Sequence, residues 1–231
     1  MFTLTQESQN MAKREPQVTA SQASNEPEEA YRPMRFMNAA QAACWEMIDT
    51  HKVCLVTGPA GTSKSHVCTA YAVAAVAAKR YGRFILTRPT VEAGENLGYM
   101  PGDLLEKLQP YNAPIFAIMK KLGCSFPIEQ LPLAFLRGHT FENSISLLDE
   151  SQNCSVDSLK LYLTRMGRNS KLLIAGDSAQ SDIEYRRDGQ RSGLEYIISK
   201  LEGLPQVGVF RFTPDDCVRD PLVKAMLARL E

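Results

Sequence analysis

No stretch of this 231-residue chain stays apolar for the roughly 18–20 residues that a membrane span needs. The longest candidate, Ala70–Ala78, is alanine-rich and stops at Lys79-Arg80. The N-terminus lacks the basic-then-apolar pattern of a secretory signal. Net charge is missing too, since 26 Lys+Arg stand against 26 Asp+Glu. That balance argues against nucleic-acid binding by bulk basicity and leaves only local patches. None of the six cysteines (Cys44, Cys54, Cys68, Cys124, Cys154, Cys217) forms a C-x-x-C pair, and His51, His66 and His139 fall outside zinc-site spacings. They read as reduced thiols of a cytoplasmic protein.

What remains is the composition of an ordinary globular domain, 44% apolar and 23% charged, long enough to close one core. Residues 1–35 stand apart. From Gln6 to Glu29 they are rich in Gln, Ser, Asn and Glu, and after Met11 only Val18 is a large apolar residue. Such a segment buries too little to offset its ordering entropy, so a disordered or extended leader is expected ahead of a domain over 36–231.

From Met37 the texture changes. Asn38 is a plausible cap for a helix through Ile48. Short apolar runs follow at Val53–Thr57, Phe84–Arg88, Ile145–Asp149, Leu172–Ala175 and Val207–Phe212, continuous rather than alternating, as in strands buried on both faces. Helical stretches lie between them: Lys64–Lys79, then Ser155–Met166 with a Ser cap and Gly167 as a left-handed terminator. Pro101–Leu108 and Tyr111–Leu122 suggest two more helices, and Leu133–Leu136 an extra strand. The alternation predicts an α/β fold, a mostly parallel central sheet flanked by helices, with ligand sites at the carboxyl ends of the strands.

The first strand runs into Gly58-Pro59-Ala60-Gly61-Thr62-Ser63-Lys64-Ser65 and then a helix, the layout of a phosphate-binding P-loop. Loop amides would surround a phosphate, Lys64 would neutralise its oxygens, and the Ser65 hydroxyl would ligate Mg²⁺. Ser63 stands where that pattern has its second glycine. Ser146–Glu150 is an apolar strand ending in paired carboxylates, Asp149 suited to Mg²⁺ and Glu150 to activating water. A further strand, Leu172–Gly176, is followed by Asp177 and by Gln180, a polar side chain suited to reading a γ-phosphate. An ordinary glycine-rich turn would not bring Lys/Ser, Asp/Glu and Gln to three strand ends in this order.

The block Leu86-Thr-Arg-Pro89-Thr-Val-Glu-Ala-Gly-Glu95-Asn-Leu-Gly-Tyr-Met-Pro-Gly-Asp103-Leu-Leu-Glu-Lys107 closely resembles the signature of PhoH-like proteins. So do Leu148–Asn153, Leu163–Gly167, Gly176–Gln180, Ser192–Leu194 and Val218–Val223, in the family's order over about residues 37–230. The resemblance implies a RecA-like P-loop core, ATP hydrolysis with Mg²⁺, a homo-oligomeric ring of hexameric type, and coupling to single-stranded RNA or DNA. It also places Gln41 among the nucleotide-binding candidates. The departures are Ser63 and Ser65 in the loop, His139 for a usual Arg, Asp220 for a usual His, and Arg186-Arg187 where relatives are shorter. The chain looks like a minimal ATPase core, a form also found in phages.

An arginine finger supplied by a neighbouring subunit could be Arg219 or, second, Arg191; a surface salt bridge is the plainer role for either. Arg88, Lys107 and Arg137 are candidates for nucleic-acid phosphates, as is the basic run Lys79–Arg88. Tyr99, Phe116 and Phe135 could stack on bases, but core positions are expected for such side chains. Two functions stay open besides a small-molecule kinase: a ring-forming ATPase motor, and an assembly protein that binds nucleotide with little productive hydrolysis, for which Ser63 is the main support.

Overall fold

The apolar runs become strands because both faces of each are covered. The computed structural model describes residues 31–89, 104–124, 126–177 and 193–230. Its strands are β1 (Val53–Thr57), β2 (Arg83–Thr87), β3 (Glu129–Gln130), β4 (Ser144–Leu148), β5 (Ser170–Gly176) and β6 (Val207–Arg211). They form one sheet of order β3-β2-β4-β5-β1-β6 in which every pairing is parallel. β4 and β5 are buried along their whole length, so their sequences have no reason to alternate.

Successive strand residues point to opposite faces. Cys54, Val56, Phe84, Leu86, Leu147 and Leu173 pack with α1 (Ala39–Thr50), α2 (Lys64–Ala77) and α3 (Leu104–Lys121). Leu55, Ile85, Leu148, Leu172 and Ile174 pack with α4 (Val156–Leu163) and α5 (Gly193–Leu201). A last helix, α6, spans Pro221–Leu230. The fold is the α/β architecture expected from the alternation of runs.

Lys171 is the exception inside β5. It is 3% exposed, and its ammonium donates to the carbonyls of Ile48 and His51. These lie where α1 ends, and the carbonyls there lack helical donors, so a buried cation is favourable. At the other end of α1, Asn38 Oδ1 accepts from Gln41 N at 2.9 Å, the cap expected. Tyr31 and Met34 pack against the core, and Arg32 N donates to Leu122 O at 2.8 Å. Residues 31–35, grouped with the leader by composition, thus touch the folded body; the rest of the leader lies outside the described residues.

Three local expectations change. Leu133–Phe135 is a 3₁₀ turn rather than a strand; Leu133 and Leu136, three residues apart, both turn into the core. The edge strand is instead the polar pair Glu129–Gln130. Two helices become one, because α3 continues through Pro110 and Pro114. Each proline removes an N–H donor, but Ile115, Met119 and Leu122 fall on one helical face and are buried. Finally, Gly167 does not adopt the left-handed conformation. Asn169 does, with φ 47°.

All six cysteines are free thiols. Cys44, Cys54, Cys68 and Cys154 are buried, while Cys124 and Cys217 are partly exposed. Burial pushes the Cys54 and Cys154 thiols up to about 12, far from the thiolate that reacts. Native protein treated with a thiol-specific chromogenic reagent should therefore label Cys124 and Cys217 quickly, and the other four only on unfolding. Rapid labelling of Cys54 would contradict this packing.

Candidate active site

The sheet order carries the site. β5 separates β1 from β4, so three strand ends meet side by side: Thr57 beside Gly176, and Leu148 beside Ile174. The loop after β1 turns sharply at Gly58 (φ 141°) and Gly61 (φ 81°). A Cβ on Gly58 would fall 2.6 Å from the Phe212 carbonyl oxygen, so only glycine fits there.

Ser63 holds φ 71° and ψ 22° at the mouth of α2. That is the left-handed region, which costs a non-glycine residue about 1–2 kcal/mol. The loop keeps its course in spite of the strain: Lys64 Nζ donates to Gly58 O at 2.7 Å and Pro59 O at 2.8 Å, and Thr62 Oγ1 donates to Pro59 O at 2.8 Å. Burial pulls the Lys64 ammonium below its usual range, opposed by the carboxylates of Asp177, Glu150 and Asp149.

Ser65 Oγ donates to Asp149 Oδ1 at 2.7 Å. These are two hard oxygen donors side by side at the carboxyl edge of the sheet. They fit Mg²⁺, which takes one or two protein oxygens and completes its shell with water and phosphate. Among the described residues no group of three or more His, Cys, Asp or Glu could hold a metal ion by itself. A protein-only metal cage is not formed there.

Glu150 lies next along the chain, with φ 56° and ψ 38°, a second non-glycine residue held in the left-handed region. Such strain persists where surroundings over-determine the conformation. Here the surroundings are visible. Gln152 Nε2 donates to Glu150 Oε2 at 2.7 Å, while Gln152 Oε1 accepts from Asp177 N at 3.1 Å. The turn that carries Gln152 presses onto β5, where a Cβ on Gly176 would meet Ser151 Oγ at 2.4 Å. Gly176 is thus what lets Gln152 reach both neighbours.

Lys64, Ser65, Asp149, Glu150, Gln152, Asp177 and Arg219 line one cavity of about 460 Å³, together with Ala60, Gly61, Ser63, His66, Gly176 and Val218. That volume suits a small-molecule ligand. A larger cavity of about 570 Å³ lies between α5 and β6. It borders Thr57 and Gly58 but holds the Arg211–Glu202 pair instead of the lysine and paired carboxylates, so the chemistry belongs to the first. Burial, reinforced by Lys121, holds His66 below its ordinary range, which makes it a neutral wall at pH 7.

Of the residues singled out from sequence, Ala60, Gly61, Ser63, Lys64, Ser65, Asp149, Glu150 and Arg219 come together here. Arg219 lies against its own chain's loop: a Cβ on Gly61 would fall 2.9 Å from its Cδ, and Val218 N donates to Gly61 O at 3.2 Å. It also lines this chain's own cavity. Gln41 is elsewhere, 1% exposed, with Oε1 accepting from Met37 N at 2.8 Å as part of the α1 cap. Gln180, Arg191 and Tyr99 lie outside the described residues, as does the side chain of Lys107.

Arg88 requires a correction. Far from meeting a polymer, its guanidinium is mostly buried, pairs with Asp149 Oδ2 and donates to the Tyr111 carbonyl. In the basic run Lys79–Arg88, Arg80 pairs with Asp49 and Arg83 with Glu129 at the surface, while Lys79 is exposed. Arg137 is exposed. Phe135 is 56% exposed, against the core position expected, whereas Phe116 packs on the core.

Sequence reasoning missed Gln152. Its signal was the spacing Glu150-x-Gln152 directly after the strand, but only the fold shows the amide bridging two motifs. With Glu150 in the role of general base expected from the sequence, Gln152→Leu should lower kcat for nucleotide hydrolysis about tenfold with KM nearly unchanged, since it would loosen the base without touching the nucleotide. Steady-state kinetics checks this; a rise in KM alone would contradict it.

The comparisons with known proteins agree with this geometry. The PhoH-like protein family profile matches residues 33–231. The chain is 36% identical over 206 residues to protein PhoH of Escherichia coli (strain K12), covering 84% of this chain and 57% of that protein. It is 39% identical over 179 residues to a PhoH-like protein of Bacillus subtilis (strain 168), covering 74% and 55%. The chain therefore spans little more than half the length of these relatives. Among solved structures, the large terminase from a thermophilic bacteriophage superposes with a TM-score of 0.57 at 13% identity, over 84% of this chain and 49% of that one; at that identity the likeness concerns the fold. The family profile, the relatives and the loop, carboxylate pair and sheet order described above lead to one conclusion: the chain belongs to the PhoH-like protein family, with a P-loop NTPase fold.

Proposed function

We propose that this protein is a Mg²⁺-dependent ATPase. The observation that carries the reading is the convergence of Lys64, Ser65, Asp149 and Glu150 on one cavity. The loop amides and Lys64 hold the β- and γ-phosphates, with the start of α2 favouring their charge. Ser65 and Asp149 would hold Mg²⁺, which when bound neutralises charge developing on the phosphate oxygens. Glu150, aimed by Gln152, accepts the proton of the attacking water. Arg219, which lines the same cavity, supplies positive charge toward the phosphates, and Gln180 is assigned to reading the γ-phosphate.

The reading extends to a homo-oligomeric ring, hexameric by analogy with the family, coupled to single-stranded RNA or DNA. Exposed Phe135 and Arg137, two residues apart in the chain, support the polymer contact, because an aromatic ring suits a stacked base and a guanidinium its phosphate. ATP turnover measured with and without single-stranded RNA or DNA tests the coupling. No stimulation by either, together with unchanged binding in Phe135→Ala, would remove it.

The second reading is an assembly protein that binds nucleotide and hydrolyses it poorly, and Ser63 favours it. Ser63→Gly separates the two. Relief of left-handed strain, offset by the greater freedom of an unfolded glycine, should stabilise the protein by about 0.5 kcal/mol. For a working ATPase, turnover should change less than about threefold, because the loop already holds its course. A large rise in turnover would favour the assembly protein.

A further inference from the structure

Both carboxylate oxygens of Asp149 are already engaged. Oδ1 accepts from Ser65 Oγ at 2.7 Å, and Oδ2 pairs with Arg88. Asp149 is buried, with its side chain 2% exposed against 13% for Arg88. A carboxylate so placed needs a counter-charge, and among the described side chains Arg88 forms the ion pair. The rest of the guanidinium is only partly committed. One nitrogen donates to the Tyr111 carbonyl, while Nε is buried without a hydrogen-bond partner among the described residues.

Tyr111 sits in a weakened stretch of α3. Pro114 has no N–H, so the carbonyl of Pro110 loses its helical donor, and the proline ring crowds that same turn. Arg88 reaches in beside this break. One residue on, Asn112 Nδ2 donates to Gln130 Oε1 at 2.7 Å and ties the turn to edge strand β3. A single guanidinium thus bridges the candidate metal ligand and the proline-weakened turn of α3. The local sequence explains the placement, since Arg88 follows the last residue of β2, and Thr87 O receives Asp149 N at 3.1 Å.

We propose that Arg88 competes with the divalent cation for Asp149, so that cation binding with nucleotide releases the guanidinium and loosens the α3 turn around Tyr111. The proposal rests on the reading of Asp149 as a Mg²⁺ ligand. A divalent ion at Asp149 brings its own positive charge, and two cations on one buried carboxylate repel each other. The guanidinium then gives way. Arg88 acts here as a positioning residue and an internal counter-ion rather than as a contact for a polymer.

The test is equilibrium binding of a fluorescent ADP analogue, titrated with MgCl₂ from an EDTA-treated start, for wild type, Arg88→Met, Arg88→Lys and Asp149→Asn. The Mg²⁺ concentration giving half-maximal enhancement should fall about tenfold in Arg88→Met and less in Arg88→Lys, which keeps the charge but not the fork. An unchanged or higher requirement in both Arg88 variants, with wild-type behaviour abolished in Asp149→Asn, overturns the competition alone. A normal Mg²⁺ response in Asp149→Asn instead overturns the metal assignment beneath it. Hydrogen exchange on wild-type protein needs no variant. Amides near Tyr111 should exchange faster with ADP plus Mg²⁺ than with ADP plus EDTA, and equal or slower exchange overturns the link to α3.

Discussion

Glu150→Gln is expected to slow ATP turnover by about 10³-fold while leaving nucleotide affinity within about twofold, because a positioned general base contributes roughly 10²–10⁴ to rate and little to ground-state binding. The substitution is close to isosteric. The amide oxygen can still accept from Gln152, which now donates to Glu150 Oε2 at 2.7 Å. The left-handed backbone at φ 56° is no harder for Gln than for Glu. What changes is proton affinity, so the loss should appear in kcat. Turnover measured by phosphate release and affinity measured by calorimetry check the two halves separately. Turnover surviving the substitution would assign the base elsewhere.

Lys64→Ala is expected to weaken nucleotide binding by about 10²-fold, and turnover at fixed ATP with it. Charge-assisted hydrogen bonds to phosphate are worth roughly 1.5–3 kcal/mol each. In this structure the ammonium is held by the Gly58 and Pro59 carbonyls at 2.7 and 2.8 Å, so binding exchanges those partners for phosphate oxygens. The loop's remaining bonds, such as Thr62 Oγ1 to Pro59 O, keep its shape after truncation. Calorimetry with ADP reads the loss, and an affinity within threefold of wild type would contradict the role given to Lys64.

Much of the sheet was legible because β4 and β5 are buried on both faces and therefore read as plain apolar runs. The loop was legible for a different reason: its glycines, lysine and hydroxyl residues are demanded by phosphate chemistry at a fixed spacing. The misreadings share a cause, which is that partners distant in sequence decide the outcome. Pro110 and Pro114 look like helix breakers until the buried face of Ile115, Met119 and Leu122 is seen. The edge strand Glu129–Gln130 is too short and polar to announce itself, and it forms because β2 offers a free edge. Arg88 looked like a surface cation because sequence shows its charge but not Asp149, far along the chain. Gln152 gave no signal beyond its spacing, although it links Glu150 to the end of β5.

The proposed ring, polymer contact and motor all depend on one prior proposal, that the site cleaves ATP with the help of a cation bound by Ser65 and Asp149. A single-turnover experiment with radiolabelled ATP, enzyme in excess, run in MgCl₂ and in EDTA, tests this most directly. The account predicts phosphate release in Mg²⁺ and none above background in EDTA. Tight binding of ATP with no release of phosphate in Mg²⁺ would contradict it.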